Sequence, residues 1–300
     1  MAFDFPSSPT TGQIYGAYTY NGYAWVLSGQ VTPNIVSNAG RLTLTSSTAL
    51  KFAPFNGDQI KINGVSYSIP AAGIAGLANT GVFVNGTAGQ NLAANTSYFV
   101  YAFNNAGTVT ADYSTTGHAT SSTAGNVGTE IKSATDSRSL IGLIRTNASA
   151  QFVDSLKQRF VRSWFNKVAC GGNSILTSNP STSSGTPIEL SSADLRLEFL
   201  LWANEIVRAD FRGLARNSTA AAGCYNAVAY DGTTPERGIT YGESPTGFAL
   251  WNPVAASNVK TGLSEGYHYI TAVGYVNGGT GTWQGSASDT SACSIHFAIM

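Results

Sequence analysis

Asx-Gly pairs recur along this chain between short apolar runs: Asn21-Gly22, Asn63-Gly64, Asp231-Gly232 and Asn277-Gly278. Both residues of such a pair tolerate positive φ, which a tight β-hairpin turn requires. The flanking runs alternate. Leu42 and Leu44 oppose Arg41, Thr43 and Thr45, while Ile60, Ile62, Val65, Tyr67 and Ile69 flank Asn63-Gly64. A chain punctuated in this way is expected to fold mainly as strands. Charge points the same way. Only 11% of the 300 residues are Asp, Glu, Lys or Arg, which leaves little to solvate helix surfaces. Ser, Thr, Asn and Gly supply the polarity instead, and they suit turns and strand faces.

Five segments follow from the pattern. Residues 1–30 read as a small hairpin, with Tyr18 and Tyr20 entering the Asn21-Gly22 turn and Tyr23 and Trp25 leaving it. A two-stranded hairpin is marginal alone in water, so this one needs a surface, on its own chain or on a partner. A Gly/Pro/Asn-rich break from Gly29 to Gly40 comes next. Residues 31–168 carry short strand-like runs at regular spacing, the signature of a β-sandwich or small barrel. Residues 169–190 are polar and rich in Gly, Pro and Ser, and read as a linker. Residues 191–213, SSADLRLEFLLWANEIVRADFRG, open on Ser with Asp194 in the first turn and close at Gly213, which predicts one long helix. Leu195, Phe199, Trp202 and Ile206 share a face of that helix, and further apolar residues cover much of the rest. Such a helix is either enclosed in its own chain's core or packed against copies around a three-fold axis, as a trimerisation element. Residues 214–300 return to strands, ending on alternating Ile295, Phe297 and Ile299, and predict a jelly-roll-like C-terminal domain.

Several function classes are disfavoured. Net charge is zero, whereas a general nucleic-acid coat needs a basic excess. No run of eighteen apolar residues exists, and the start lacks a basic segment followed by an apolar one, so neither membrane insertion nor a secretory signal is expected. Cys170, Cys224 and Cys293 are few, odd in number and far apart, which predicts buried thiols rather than disulfides or zinc. His118, His268 and His296 are isolated, so no metal or cofactor is expected. A glycosidase pair would have to come from Asp231, Glu236, Glu243 and Glu265, and no repeat period of a β-helical depolymerase is present; an enzyme is not expected. One local bias stands out. Lys132, Arg138, Arg145, Lys157, Arg159, Arg162 and Lys167 face only Asp136 and Asp154 within that stretch. It reads as a solvated strand face or as an interface with an acidic neighbour.

The N-terminal stretch FPSSPTTGQIYGAYTYNGYAW resembles a P-x-x-P-T-x-G-Q-x-Y … Y-x-W-D-G-x-x-W segment near the N-termini of tailed-bacteriophage virion proteins. Pro6, Pro9, Thr10, Gly12, Gln13, Tyr15, Tyr20, Gly22 and Trp25 carry the match; Tyr20 replaces the pattern's first Trp and Asn21 its Asp. GRLTLTSS, APFNGDQIKING and LIGLIRTNASAQFVDSLKQRFVRSWFN resemble a middle segment of phage fibre-like proteins, and LRLEFLLWANEIV resembles the helix that follows it in some of them. The resemblance spans residues 5–210. It implies a tail fibre or spike subunit in the virion, a homotrimer whose N-terminal hairpin anchors to a tail adaptor, nozzle or capsid protein. Tyr15, Tyr18, Tyr20, Tyr23 and Trp25 would be the anchoring aromatics, a use to which interfaces put Tyr and Trp. The C-terminal β domain would meet the host, with Tyr267, Tyr269 and Trp283 as candidates for stacking on a surface glycan. A head fibre or capsid decoration protein is the alternative, and a polysaccharide depolymerase the third.

Overall fold

The computed structural model describes residues 5–27, 39–236, 240–244, 250–287 and 291–300, with the side chains of 27 and 240–244 outside the description. The protein is mainly β, as expected, and divides into two compact units, residues 1–36 and 37–300.

The first unit is a three-stranded antiparallel meander of Ile14–Tyr15, Tyr18–Tyr20 and Trp25–Leu27. Its last turn differs from the two-residue hairpin expected at Asn21-Gly22. Tyr20 pairs with Trp25, so four residues span the turn. The Asn21 side chain explains the longer loop: its Oδ1 accepts from the backbone N–H groups of Tyr23 (3.0 Å) and Ala24 (2.9 Å), as turn-forming Asn side chains do. Residues 1–4 of the expected anchor and 28–38 of the expected break lie outside the described residues.

The second unit holds three large sheets. An eight-stranded sheet takes Ser97–Asn105, Thr108–Ser114 and Thr135–Arg145 at its centre, with His118–Thr120 at one edge and Val161–Ser163 on the flank of Thr135–Arg145. Two hairpins, Arg41–Ser46 with Ala49–Ala53 and Gln59–Ile62 with Val65–Ser68, contribute to the same core. The second turns at Asn63-Gly64 with φ of +51° and +80°, as the sequence predicted. Phe52, Ile60, Ile62, Val100, Tyr113 and Ile141 are buried in this core.

Residues from 170 onward, joined by Gln158–Arg159, form two six-stranded sheets. One is built on Arg196–Leu201, Gly266–Val276 and Ala222–Tyr230; the other on Cys170–Ile175, Ser294–Ile299, Val207–Asn217 and Asn252–Lys260. They share one core, in which Leu197, Phe199 and Leu201 meet Phe211, Ile295 and Phe297, with the Phe199 and Phe297 rings 4.9 Å apart. This is the two-layer arrangement expected for the C-terminal region, with more strands per sheet than a simple jelly roll. The three thiols are free and buried.

The long helix over 191–213 does not exist. One helical turn, Ser192–Leu195, is capped by Ser191, whose hydroxyl accepts from the Asp194 N–H at 3.1 Å. The chain then extends into Arg196–Leu201 and Val207–Asn217. The first strand is buried on both faces: Leu197, Phe199 and Leu201 enter the sandwich, while Leu200 and Trp202 face the eight-stranded sheet. Leu197, Phe199 and Leu201 alternate with Arg196 and Glu198, but the apolar run continues through Leu200 to Trp202, and over so short a stretch periodicity does not separate a strand from a buried helix. The second strand carried a longer signal, since Val207, Ala209 and Phe211 alternate with Arg208, Asp210 and Arg212. Leu195, Phe199 and Trp202 are at most 1% exposed inside their own chain, so they offer no surface to a second copy; Ile206 is half-buried.

The stretch 169–190 also differs from a free linker. Cys170–Ile175 pairs along its length with the last strand, and Ser181–Thr182 and Ile188–Glu189 pair with Gly281–Trp283 and Gly266–Val276. Chain continuity between the sheets lies earlier. Gln158–Arg159 pairs with Arg196–Leu201, and Val161–Ser163, two residues on, pairs with Thr135–Arg145.

Gly213 lies where Val207–Asn217 meets the segment around Cys293. A Cβ there would sit 2.3 Å from Cys293 Sγ and 2.5 Å from its Cα, and backbone cannot easily retreat. Gly213→Ala is expected to destabilise the protein by about 1–3 kcal/mol, the usual range for overpacking. Gly185→Ala, whose nearest neighbour would be the Val276 carbonyl at 3.8 Å, should stay within about 0.5 kcal/mol of wild type. Urea midpoints of the two variants make the comparison.

Candidate functional site

The anchoring aromatics expected from the sequence are gathered in one place, though most of them hold each other. Phe5 stacks on Trp25 at 5.2 Å and meets Tyr18 and Tyr15 edge-on at 5.2 and 5.9 Å. Trp25 also contacts Tyr15 and Tyr20. This cluster is the core of the small sheet, and Phe5, which the sequence reading passed over, is at its centre. Two apolar side chains project away: Tyr23, 94% exposed at the turn, and Ile14, 69% exposed. Tyr15 remains 43% exposed.

The expected glycan-stacking residues are not available as a platform. Trp283 is fully buried, its Nε1–H donating to Asn226 Oδ1. Tyr267 donates to Glu198 at 2.5 Å, packs edge-on to Phe160, and has the Arg145 guanidinium 4.0 Å from its ring centre. Arg196 lies 4.3 Å over Tyr269. Another aromatic pair of that sheet, Tyr225 and Tyr275, are cross-strand partners stacked at 4.7 Å and half-buried.

Asp231, His268 and Ser264 form an arrangement that looks like a nucleophilic triad. His268 Nδ1 lies 2.6 Å from Asp231 Oδ2, and its Nε2 lies 3.5 Å from Ser264 Oγ. The shorter contact of Nε2 is to the Ser264 carbonyl, at 2.8 Å. A carbonyl can only accept, so Nε2 is a donor, and a ring with both nitrogens donating is an imidazolium. Burial opposes that charge, but the bonds to Asp231 and to the carbonyl outweigh it and hold the His268 pKa above its ordinary value. A general base must accept the hydroxyl proton; this imidazole is committed to holding the loop before Gly266–Val276. The other acids considered do not converge among the described residues. Glu236 pairs with Lys260, and Glu265 with His118; the Glu243 side chain lies outside the description. No group of metal-ligating side chains occurs among the described residues.

The most developed polar cluster joins the eight-stranded sheet to the sandwich. His118 Nδ1 lies 2.5 Å from Glu130 across its own hairpin, and Nε2 lies 3.1 Å from Glu265, 147 residues away. Glu265 also accepts from the Ala203 N–H at 3.1 Å. Phe99, Trp164 and Trp202 enclose the ring, and Lys167 lies over both indoles. All three charged side chains are under one-fifth exposed. The hydrogen bond to Glu265, aided by Glu130 and opposed by burial, raises the His118 pKa; the Glu265 carboxyl, despite its own burial, is lowered by His118 and the Ala203 N–H. Sequence spacing carries no trace of this contact, because its partners come from different sheets.

Neither protein-family models nor curated proteins match this chain. Among solved structures, the chain is similar to a chain in the structure of infectious bursal disease virus, Gx strain, at 10% identity and a TM-score of 0.20, covering 87% of this chain and 69% of that one. Two chains with so low a score need not share a topology.

The His118 cluster sets a pH dependence. Its raised pKa means that protonated His118 contributes stability fully below the ordinary value of 6.5, and that this is lost as pH rises through the folded pKa. Glu265, with a lowered pKa, contributes above its ordinary 4.5 and loses that contribution as pH falls through its folded pKa. The stability difference between wild type and His118→Gln should therefore be greatest between about pH 4.5 and 6.5, at about 1–3 kcal/mol, and shrink on the alkaline side. Denaturant titrations of both proteins across pH measure it, and a flat difference contradicts the assignment.

Proposed function

We propose that this protein is a structural component of a bacteriophage particle, a tail fibre or spike subunit held to the virion through its N-terminal unit. The observation that carries the reading is the compact, self-supporting sheet of residues 5–27. It satisfies itself around Phe5 and Trp25, yet presents Tyr23, Ile14 and part of Tyr15 to its surroundings. A small module separate from the main body, with an aromatic residue fully projected at its turn, suits insertion into a pocket of a tail adaptor, nozzle or capsid protein. The resemblance of residues 5–210 to phage virion proteins supports the same role. In this reading the C-terminal sandwich, most of which lies beyond the resemblance, is the part that meets the host. The element that argued for three copies is a pair of strands, so the proposal attaches no copy number.

The test uses particles of the phage that encodes the chain. Antibody or gold label against this protein should decorate purified particles at the tail. Removal of residues 1–36 should leave residues 37–300 folded, with an unchanged melting transition, and should abolish incorporation. Tyr23→Ala should weaken incorporation without changing stability by more than about 0.5 kcal/mol. Label on the capsid shell instead would favour a decoration or head-fibre role, and particles lacking the protein altogether would refute a virion role.

A further inference from the structure

At the end of Gly266–Val276 lies a recess of about 610 Å³, whose lining includes Tyr225, Tyr275, Ser183, Gly185, Asn277 and Gly278. Tyr225 and Tyr275 face each other from neighbouring strands, with ring centres 4.7 Å apart and planes 9° from parallel. A cross-strand aromatic pair stabilises a sheet by itself, but these two rings are only half-buried. The groups around them are open. Gly185 and Gly278 bring no side chain to the wall. The Asn277 amide is held from one side only: its Oδ1 accepts from the Gly223 N–H at 2.7 Å, which leaves Nδ2 a donor without an acceptor among the described residues. Ser183 Oγ and Tyr275 Oη likewise have no hydrogen-bond partner among the described residues. Asn277 and Ser183 are exposed, so a ligand can reach their polar atoms. No charged residue lines the recess.

These features specify a ligand with an apolar face and neutral hydroxyls. Aromatic rings offer an apolar surface whose faces carry partial negative charge, and the C–H groups on one side of a pyranose ring match it. The amide N–H₂ donates, and the two hydroxyls both donate and accept, which suits sugar hydroxyls. A charged ligand would give up hydration here without gaining an ion pair. The volume lies within the roughly 300–1,000 Å³ range of small-molecule sites, which combine apolar wall with a few placed polar groups. We propose that this recess binds a neutral hexopyranose unit, stacked on the Tyr225–Tyr275 pair and hydrogen-bonded by Asn277 Nδ2 and Ser183 Oγ. The source of that sugar, a glycan of the host surface, rests on the reading of the sandwich as the part that meets the host; the site itself does not.

The full chain is titrated with methyl α-D-glucopyranoside and methyl β-D-galactopyranoside, and with D-sorbitol and D-glucuronate as comparison ligands, read by saturation-transfer NMR. At least one hexoside is expected to bind saturably and more tightly than sorbitol, which has the hydroxyls without the ring, and than glucuronate, which adds a charge. Tyr275→Val, which keeps a strand-forming residue, should weaken that hexoside about two- to tenfold, the factor that an aromatic contact of ordinary strength corresponds to. Asn277→Asp keeps the acceptor for the Gly223 N–H and loses the donor. It should weaken the hexoside by a similar factor with an unchanged melting transition, and it decides the matter should Tyr275→Val melt early. No saturable binding of either hexoside, sorbitol or glucuronate binding as tightly, or hexoside binding indifferent to both substitutions in folded protein would each overturn the site. Hexoside binding by a chain absent from particles would uphold the site and sink the virion role, while label on particles with no hexoside binding would do the reverse.

Discussion

The burial of Leu197, Phe199, Leu200, Leu201 and Trp202 between two sheets is the constraint on which the main body depends. Leu197, Phe199 and Leu201 complete the sandwich core on one side. On the other, Leu200 and Trp202 pack with Tyr101, Leu140 and Leu143 of the eight-stranded sheet. One short strand thus belongs to two hydrophobic cores, and the two β regions cannot separate without exposing it. Fully burying such side chains stabilises by about 1.5–3 kcal/mol each, so the shared strand is a strong coupling for its length. Among the described residues Nε1 of Trp202 is buried without an acceptor, and the ring is held by packing, with Trp164 and His118 against it and Lys167 over it.

The polar groups at this junction follow from the same geometry. Where two sheets meet along a strand, charged residues from both are trapped at the rim, and each must find a partner. His118 takes carboxylates from both regions, and Arg162 takes the Leu200 carbonyl and Glu205. Gln158–Arg159 and Val161–Ser163 join different sheets within six residues, which forces Arg159 and Arg162 to the same seam. A mechanical component of a particle would profit from such coupling, because load on one β region passes to the other through packed side chains and ion pairs rather than through a flexible connection.

Local chemistry was legible wherever neighbours in sequence supply the interaction. The Asn63-Gly64 hairpin, the alternation of Arg41–Ser46 and the final strand all read correctly, since turn preference and period-2 burial are properties of a few adjacent residues. The Ser191 cap was also real, but it introduces one helical turn rather than six. A cap and an apolar run are shared by a helix and by a strand covered on both faces; the choice between them belongs to the neighbours, Gly266–Val276 and Gln158–Arg159, which pair with that run.

Low charge, hairpin turns and alternating runs were enough to make this a mainly β chain with a separate aromatic N-terminal module, because backbone preference and solvation act locally. Which side chains are available to a ligand or partner was not encoded at that level. Trp283 and Tyr267 look like stacking residues until Asn226, Glu198 and Arg145 occupy them. Availability depends on contacts between residues tens to hundreds of positions apart, and those arise only when the sheets close on one another.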